Sequence, residues 1–126
     1  MKILHIVESL DNSYGGPAKS VPMLVKYLDK LNCENKIFTV RVHENEQNSV
    51  LDENNIEFVK VPLRGIKKIK YSPFLKNKIV HEITKDTIIH VHTVWTYPTY
   101  IGYKIAKKYN LPLVVSVRGT MYEWAL

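Results

Sequence analysis

The residues with the clearest chemical potential are two histidines separated by one residue. His90 and His92 stand at the end of an apolar run, IIHVH. Alternate residues of a β-strand lie on the same face, so both imidazole rings should point the same way. Two such rings could ligate a metal, but no Asp, Glu or Cys nearby completes a site, and no metal is predicted. We expect them to bond a hydroxyl-rich or phosphorylated ligand; the alternative is one core histidine and one exposed histidine.

Aromatic residues follow this pair immediately. Trp95 and Tyr97 precede Pro98 in the predicted loop, and aromatic side chains beside a polar cleft suit stacking on a sugar ring or a base. The alternative is that Trp95 covers the core at the root of the loop. Arg118, just after the last predicted strand, is a permanent cation suited to a phosphate or carboxylate.

A glycine turn near the start of the chain is a second candidate site. Gly15 and Gly16 precede Pro17, which is favoured in the first turn of a helix. Glycine lets a ligand approach the backbone, and the free N–H groups of a helix start favour an anion. The pattern matches neither the dinucleotide fingerprint nor the P-loop. A tight turn with only a structural role is the alternative.

Length and composition restrict the class of protein. The 126 residues predict one domain spanning 1–126, and 45% hydrophobic content is ordinary for a globular core. No apolar run approaches the roughly 20 residues of a membrane span, and the N-terminus lacks a signal-peptide pattern. The sequence therefore predicts a cytoplasmic protein. Cys33 is the single cysteine, which excludes an internal disulfide.

Positive charge is concentrated in one segment. The formal net charge is +6, and seven of the 18 lysines and arginines fall within residues 60–78. They are Lys60, Arg64, Lys67, Lys68, Lys70, Lys76 and Lys78. This concentration favours an electropositive patch that contacts anionic lipid or phosphorylated substrates, although a solvated loop would look the same. Nucleic acid is not expected as a partner, because only Tyr71 interleaves the lysines.

Strand and helix patterns alternate along the chain. Strands are predicted at 2–7, 35–42, 56–62, 87–91 and 113–117. Helices are predicted from Gly16 through Leu31, briefly around 49–53, from Ser72, and from about Thr99. Phe74 would lie on the apolar face of the helix that begins at Ser72. This order predicts an α/β fold: a Rossmann-like, doubly wound parallel sheet in three layers.

The predicted topology brings the two candidate sites together. Strand 1 should lie in the middle of the sheet with strand 4 beside it, and ligands bind such sheets beyond the carboxyl ends of the strands at this reversal. The glycine turn and the histidine–aromatic loop would then be neighbours. No Ser-His-Asp order and no spaced carboxylate pair accompanies them, so the residues alone predict a binding half-site without a complete catalytic set.

These residues also carry a family resemblance. The blocks KILHIVESLDNSYGGPAKSV and IIHVHTVWTYPTYIGYKIAKKYNLPLVVSVRGTMYEWAL resemble the N-terminal domain of GT-B glycosyltransferases of family 4, and the resemblance is weakest between residues 43 and 85. It implies sugar transfer from a nucleotide-sugar to a glycan or lipid-linked acceptor with retention of configuration, without a cofactor. It further implies a role in cell-surface polysaccharide or lipopolysaccharide synthesis.

The resemblance assigns roles to single residues. His92 corresponds to the family's catalytic-site histidine near the transferred sugar, while Gly15 and Gly16 approach the donor diphosphate. Arg118 matches the arginine of the family's RG stretch, and Lys19 stands where a basic residue often follows the glycines. His90 and Trp95 complete the predicted substrate-binding set.

The family's C-terminal donor-binding motifs do not occur in these residues. The chain alone is therefore expected to be inactive, with strand 5 as an apolar edge that self-associates or binds a partner chain. Peripheral contact with the inner face of the membrane through residues 60–78 is a further expectation. The alternatives are a stand-alone binding module completed by a partner chain, and a flavodoxin-like regulatory domain, which the lack of an acidic cluster disfavours.

Overall fold

A computed structural model describes residues 1–12, 16–42, 45–48, 51 and 54–117. Its strands and helices alternate in the order predicted from the sequence. They are β1 (Lys2–Val7), α1 (Gly16–Asp29), β2 (Glu34–Arg41), β3 (Phe58–Pro62), α2 (Leu75–Val80), β4 (Thr87–His92), α3 (Tyr97–Lys108) and β5 (Leu113–Ser116).

The strands form one parallel sheet in the order β3-β2-β1-β4-β5. The chain moves outward from β1 to β3, then returns to the other side of β1 with β4. The reversal therefore lies between β1 and β4, which confirms the predicted topology. The register between these strands sets His5 opposite His90, and Val7 opposite His92.

Helices cover both faces of the sheet, as predicted for a doubly wound fold. Every residue of β1 is buried, because its alternate side chains pack in two separate clusters. Leu4 and Ile6 belong to the cluster that includes Ile105 of α3. Val7 packs on the other face with Val25 of α1. The Rossmann-like α/β sheet expected from the sequence is thus confirmed.

The helix limits differ from the sequence predictions in three places, one of which is the start of α3 at Tyr97 rather than at about Thr99. Helix α1 ends at Asp29, so Leu31 lies beyond its last turn and is exposed rather than buried. Helix α2 has only six residues and begins after Phe74, which is 44% exposed and does not join the buried face. Most of the short helix predicted around residues 49–53 lies outside the described residues.

Helix α3 lies unusually close to the sheet at Gly102. A Cβ atom there would meet Cγ1 of Val91 and would lie 2.9 Å from Cδ1 of Ile6, inside normal van der Waals contact. Only glycine allows this approach, which packs α3 directly on β1 and β4. Among the described helices, none combines the length and the apolar composition required to cross a membrane.

Candidate functional site

The loops that follow β1 and β4 are joined by a buried hydrogen bond. The Thr93 hydroxyl donates to Oε1 of Glu8 at 2.5 Å, and both side chains are buried. Glu8 follows the last residue of β1, and Thr93 follows the last residue of β4. The prediction that these two loops lie side by side is therefore confirmed.

The loop after β4 has an unusual backbone. Thr93 and Trp95 adopt positive φ angles of 83° and 79°, a region that L-residues rarely enter and that is least favourable for a β-branched side chain. Conformations of this kind cost on the order of 1–3 kcal/mol each. The Thr93 N–H donates to the Ser116 carbonyl at 2.7 Å, so contacts to both neighbouring loops hold the strained residue.

The start of α1 is held against the β1 loop by one side chain. The amide nitrogen of Asn48 donates to the carbonyls of Leu10 and Ala18, both at 2.6 Å. Gly16 begins the helix, and within the described part of the chain a Cβ atom at that position would contact nothing within 4 Å. Packing against the described residues therefore does not require glycine here.

Among the predicted site residues, Lys19 lies in the first turns of α1 and is exposed. Gly15 and Arg118 lie outside the described residues. The predicted roles of these three residues in binding phosphate stay predictions.

The two predicted histidines are joined by a third. His92, the predicted catalytic residue, is fully buried, and its Nε2 lies 3.1 Å from Nδ1 of His5, which is also fully buried. His90 is half-buried, and its ring stacks on that of His92 with centroids 3.9 Å apart. His5 was not among the residues predicted for the site, because its position opposite His90 depends on the register between β1 and β4.

Asn35 determines which nitrogen of His5 carries a proton. The Asn35 amide nitrogen donates to Oδ1 of Asp29 at 2.7 Å and to the Cys33 carbonyl at 3.0 Å. Its oxygen therefore faces His5, whose Nε2 lies 3.0 Å away and must donate. In neutral His5 the Nδ1 atom is then an acceptor, so Nε2 of His92 donates to it.

His90 has its own partner on the edge strand. Its Nε2 lies 2.7 Å from the hydroxyl of Ser116 on β5. One nitrogen from each of the three rings lies within 4.8 Å of the others. No metal site was predicted, because no third ligand lay near the histidine pair in the sequence. In the structure His5 lies close enough to be that third ligand, so this reason does not hold.

Trp95 does not cover the core. Its side chain is 64% exposed and lines an open groove of about 590 Å³. The remaining lining residues come from α3, the loop before it and the basic segment. They are Ile69, Thr96, Tyr97, Thr99, Tyr100 and Tyr103. Sequence reasoning identified Trp95 and Tyr97 but missed the two tyrosines one and two helical turns further along, which continue the same surface.

Tyr97 lies at the root of this groove. Burial raises the pKa of its hydroxyl above the usual value, and the neighbouring Tyr71 adds to this rise. The rings of Tyr71 and Tyr97 meet edge to face with centroids 4.7 Å apart. A neutral hydroxyl of this kind can donate a hydrogen bond to a ligand throughout the physiological pH range.

The basic segment adjoins the same groove. The N–H of Tyr97 donates to the Ile69 carbonyl at 2.9 Å, which fixes the segment against the start of α3. A second groove of about 620 Å³ shares Tyr97 and Tyr100 and is otherwise lined largely by lysines. These are Lys76, Lys104, Lys107 and Lys108. Aromatic and cationic side chains therefore form one continuous surface.

Comparison with known proteins agrees with this architecture. A search of curated protein sequences gave no significant match. A solved structure described as UDP-N-acetylglucosamine 2-epimerase matches with a TM-score of 0.57 and 16% identity, over 91% of this chain. The match covers 32% of that enzyme, so this chain spans about a third of its length. At this identity the likeness shows the shared GT-B-type Rossmann-like fold.

The sequence profile described as Glycosyltransferase Family 4 matches residues 14–126. The matched region begins before α1 and includes the histidine pair, the aromatic groove and all strands after β1. This protein therefore belongs to Glycosyltransferase Family 4.

Proposed function

We propose that this chain is the acceptor-side domain of a retaining, nucleotide-sugar-dependent glycosyltransferase. The observation that carries the proposal is the groove lined by Trp95, Tyr97, Tyr100 and Tyr103, which opens where β4 ends. Exposed aromatic rings with hydroxyl groups stack on the apolar faces of sugar rings and bond their hydroxyls. A glycan or the sugar of a lipid-linked acceptor is the ligand that such a surface fits.

The loops at the sheet reversal would then face the transferred sugar. His92 is the proposed catalytic residue, while His90, Lys19 and the glycine turn at Gly15 and Gly16 bind the substrates. Arg118 is a further proposed phosphate ligand. Because His92 is buried, its contact with a sugar requires the loop after β4 to shift. The strained backbone of that loop is consistent with such movement at a functional site.

Acceptor binding can be tested directly by NMR. We expect short oligosaccharides to shift the amide signals around Trp95, and Trp95→Ala to weaken this binding at least tenfold because the stacking surface is lost. Tyr109→Ala is the matched control, since Tyr109 is an exposed aromatic residue just beyond the other end of α3. Equal binding by the wild type and Trp95→Ala would refute the acceptor groove.

The donor-binding half of the reaction is proposed to lie on another domain. We expect no sugar transfer when the purified chain is mixed with nucleotide-sugars and an acceptor, because this domain supplies only one wall of the cleft. Release of labelled sugar onto any acceptor by the chain alone would contradict this. A role in assembling cell-surface polysaccharide or lipopolysaccharide is the cellular context we propose.

A second candidate is a binding module completed by a separate protein. The valines of β5 favour it: Val114 and Val115 lie on opposite faces of the terminal strand and both remain about half exposed. The first test is whether a neighbouring reading frame encodes the donor-binding domain. A co-purifying product of that frame would favour the module over a single-chain transferase.

Residues 60–78 and the aromatic groove together suggest contact with an anionic membrane, where lipid-linked acceptors lie. Lys67 and Lys68 are exposed, and Ile66 and Ile69 beside them are also exposed. Cations bind acidic headgroups while neighbouring apolar side chains enter the interface. A cytoplasmic, peripheral location at the inner membrane face follows from this proposal.

Vesicle co-sedimentation tests this contact. We expect binding to increase with the phosphatidylglycerol fraction and to fall several-fold in Lys68→Glu. Lys30→Glu makes the same charge change just after α1, which packs on the other face of the sheet, and should bind like the wild type. Binding that does not depend on the anionic lipid fraction would refute membrane docking.

A further inference from the structure

We propose that His5, His90 and His92 form a binding site for a divalent transition-metal ion. The three side chains come from adjacent parallel strands, with His5 directly opposite His90 and with His92 two residues further along β4. One nitrogen of each ring lies within 4.8 Å of the others. The site shares His90 and His92 with the proposed sugar-transfer site, although the proposed transfer itself needs no metal.

The closest pair already has the separation of two metal ligands. Zinc binds histidine nitrogens at about 2.0–2.1 Å, so two ligands at a tetrahedral angle lie about 3.3 Å apart. Nδ1 of His5 and Nε2 of His92 are 3.1 Å apart. The third nitrogen must approach by no more than about 1.5 Å, and it belongs to His90, the half-buried ring of the three.

The surrounding hydrogen bonds also match those of metal sites. A ligating histidine usually donates its other ring N–H to an oxygen that orients the ring. Nε2 of His5 has Asn35 as this partner, and Asn35 is fixed in turn by Asp29. Nε2 of His90 has the Ser116 hydroxyl. Nδ1 of His5 and Nε2 of His92 are then two of the ligating atoms, and a ring nitrogen of His90 is the third.

The donor set indicates the class of metal. Three neutral imidazoles suit Zn²⁺, Co²⁺, Ni²⁺ or Cu²⁺, whereas Mg²⁺ and Ca²⁺ require oxygen ligands. His90 is the only one of the three that is not fully buried, so the ion would approach from its side. Once bound, the ion would cross-link β1 and β4 where the sheet reverses.

A direct hydrogen bond between His5 and His92 is the competing explanation. It predicts that His92 keeps its proton on Nε2 whether or not metal is present. Metal binding instead requires that proton to move to Nδ1, because Nε2 must offer its lone pair. The nitrogen chemical shifts of the imidazole rings distinguish the two tautomers.

Titration calorimetry with ZnCl₂ and the absorption spectrum with Co²⁺ test the site. We expect one ion per chain and micromolar or tighter affinity, reduced at least 100-fold in His90→Ala. Asn35→Ala should weaken binding about 10- to 100-fold. His81→Ala, which removes an exposed histidine outside the cluster, should bind like the wild type.

Nitrogen NMR of the wild type supplies a readout that does not depend on a variant folding. A change of the His92 tautomer on adding Zn²⁺ supports the site. No binding by the wild type, equal binding by His90→Ala, or an unchanged His92 tautomer at saturating Zn²⁺ would overturn it.

Discussion

The hydrogen bond between Thr93 and Glu8 offers the sharpest test of how the two functional loops are held together. The change we propose is Thr93→Val, which replaces the hydroxyl with a methyl group of nearly the same size. The bond from Thr93 to Oε1 of Glu8 is lost, while β-branching and the backbone bond to the Ser116 carbonyl are retained. The variant therefore isolates one contact between residues 85 positions apart in the sequence.

The expected magnitude follows from the burial of this bond. A hydrogen bond to a charged group contributes about 1.5–3 kcal/mol, and both side chains here are excluded from solvent. We expect Thr93→Val to lower the free energy of unfolding by about 2 kcal/mol. For a chain of this size, that corresponds to a fall in Tm of roughly 5–15 °C.

Thr93→Ser is the matched control. Serine keeps the hydroxyl and loses one methyl group, at a cost of about 0.8 kcal/mol. Removing the β-branch at a φ of 83° relieves part of the backbone strain and offsets this loss. The serine variant should therefore remain within about 1 kcal/mol of the wild type.

Urea denaturation followed by circular dichroism measures both variants. The midpoint should shift for Thr93→Val with an unchanged m-value, which reports a change of stability without a change of the surface exposed on unfolding. If valine is as stable as threonine, or if serine loses as much as valine, the hydroxyl does not join the loops in the way described.

Three other predictions follow from the packing, the charges and the sheet edge. Gly102→Ala should lower stability by about 1–2 kcal/mol, because overpacking against Val91 exceeds the gain in helix propensity; unchanged thermal unfolding would contradict this. A hydrogen bond from Lys36, and to a lesser extent one from Lys2, lowers the pKa of Glu82 below 4.5. The ionised form of Glu82 therefore stabilises the fold above pH 4.5, and this contribution is lost as the pH falls through the lowered pKa. Glu82→Gln should therefore lower the free energy of unfolding by up to about 1 kcal/mol at pH 7. If the ion pairs cause this loss, the difference between the variant and the wild type must become smaller in acid. The terminal strand β5 should pair with a second copy of the chain, so light scattering coupled to size exclusion should show dimers at high concentration, and a monomer at every concentration would disprove it.

Much of the fold was predictable because its signals are local. The apolar run of β1 indicated a strand buried on both faces, and the structure buries all six of its residues. Pro98 was assigned to the loop before α3, but the helix begins at Tyr97, two residues before the predicted start, with Pro98 in its first turn. Leu31 and Phe74 were misplaced because helical spacing continued past the points where α1 ends and α2 begins.

The candidate site was only partly predictable. The spacing of His90 and His92 put them on one strand face, with one core and one exposed histidine as the alternative, but it did not indicate which of the two would be buried. The positive φ angles of Thr93 and Trp95 had no signal either, because neither residue is a glycine. That backbone is maintained by contacts to Glu8 and Ser116, which are distant in sequence.

The sequence by itself determined the element order, the parallel sheet, the place of the reversal between β1 and β4, and the identity of the histidine–aromatic loop. These features depend on residue periodicity and on turn chemistry, which act over a few positions. Only the tertiary structure brought His5 and Asn35 to His92, paired Glu8 with Thr93 and extended the groove along α3. Those contacts depend on strand register and on helix packing, which are properties of the whole sheet and cannot be deduced from any one segment.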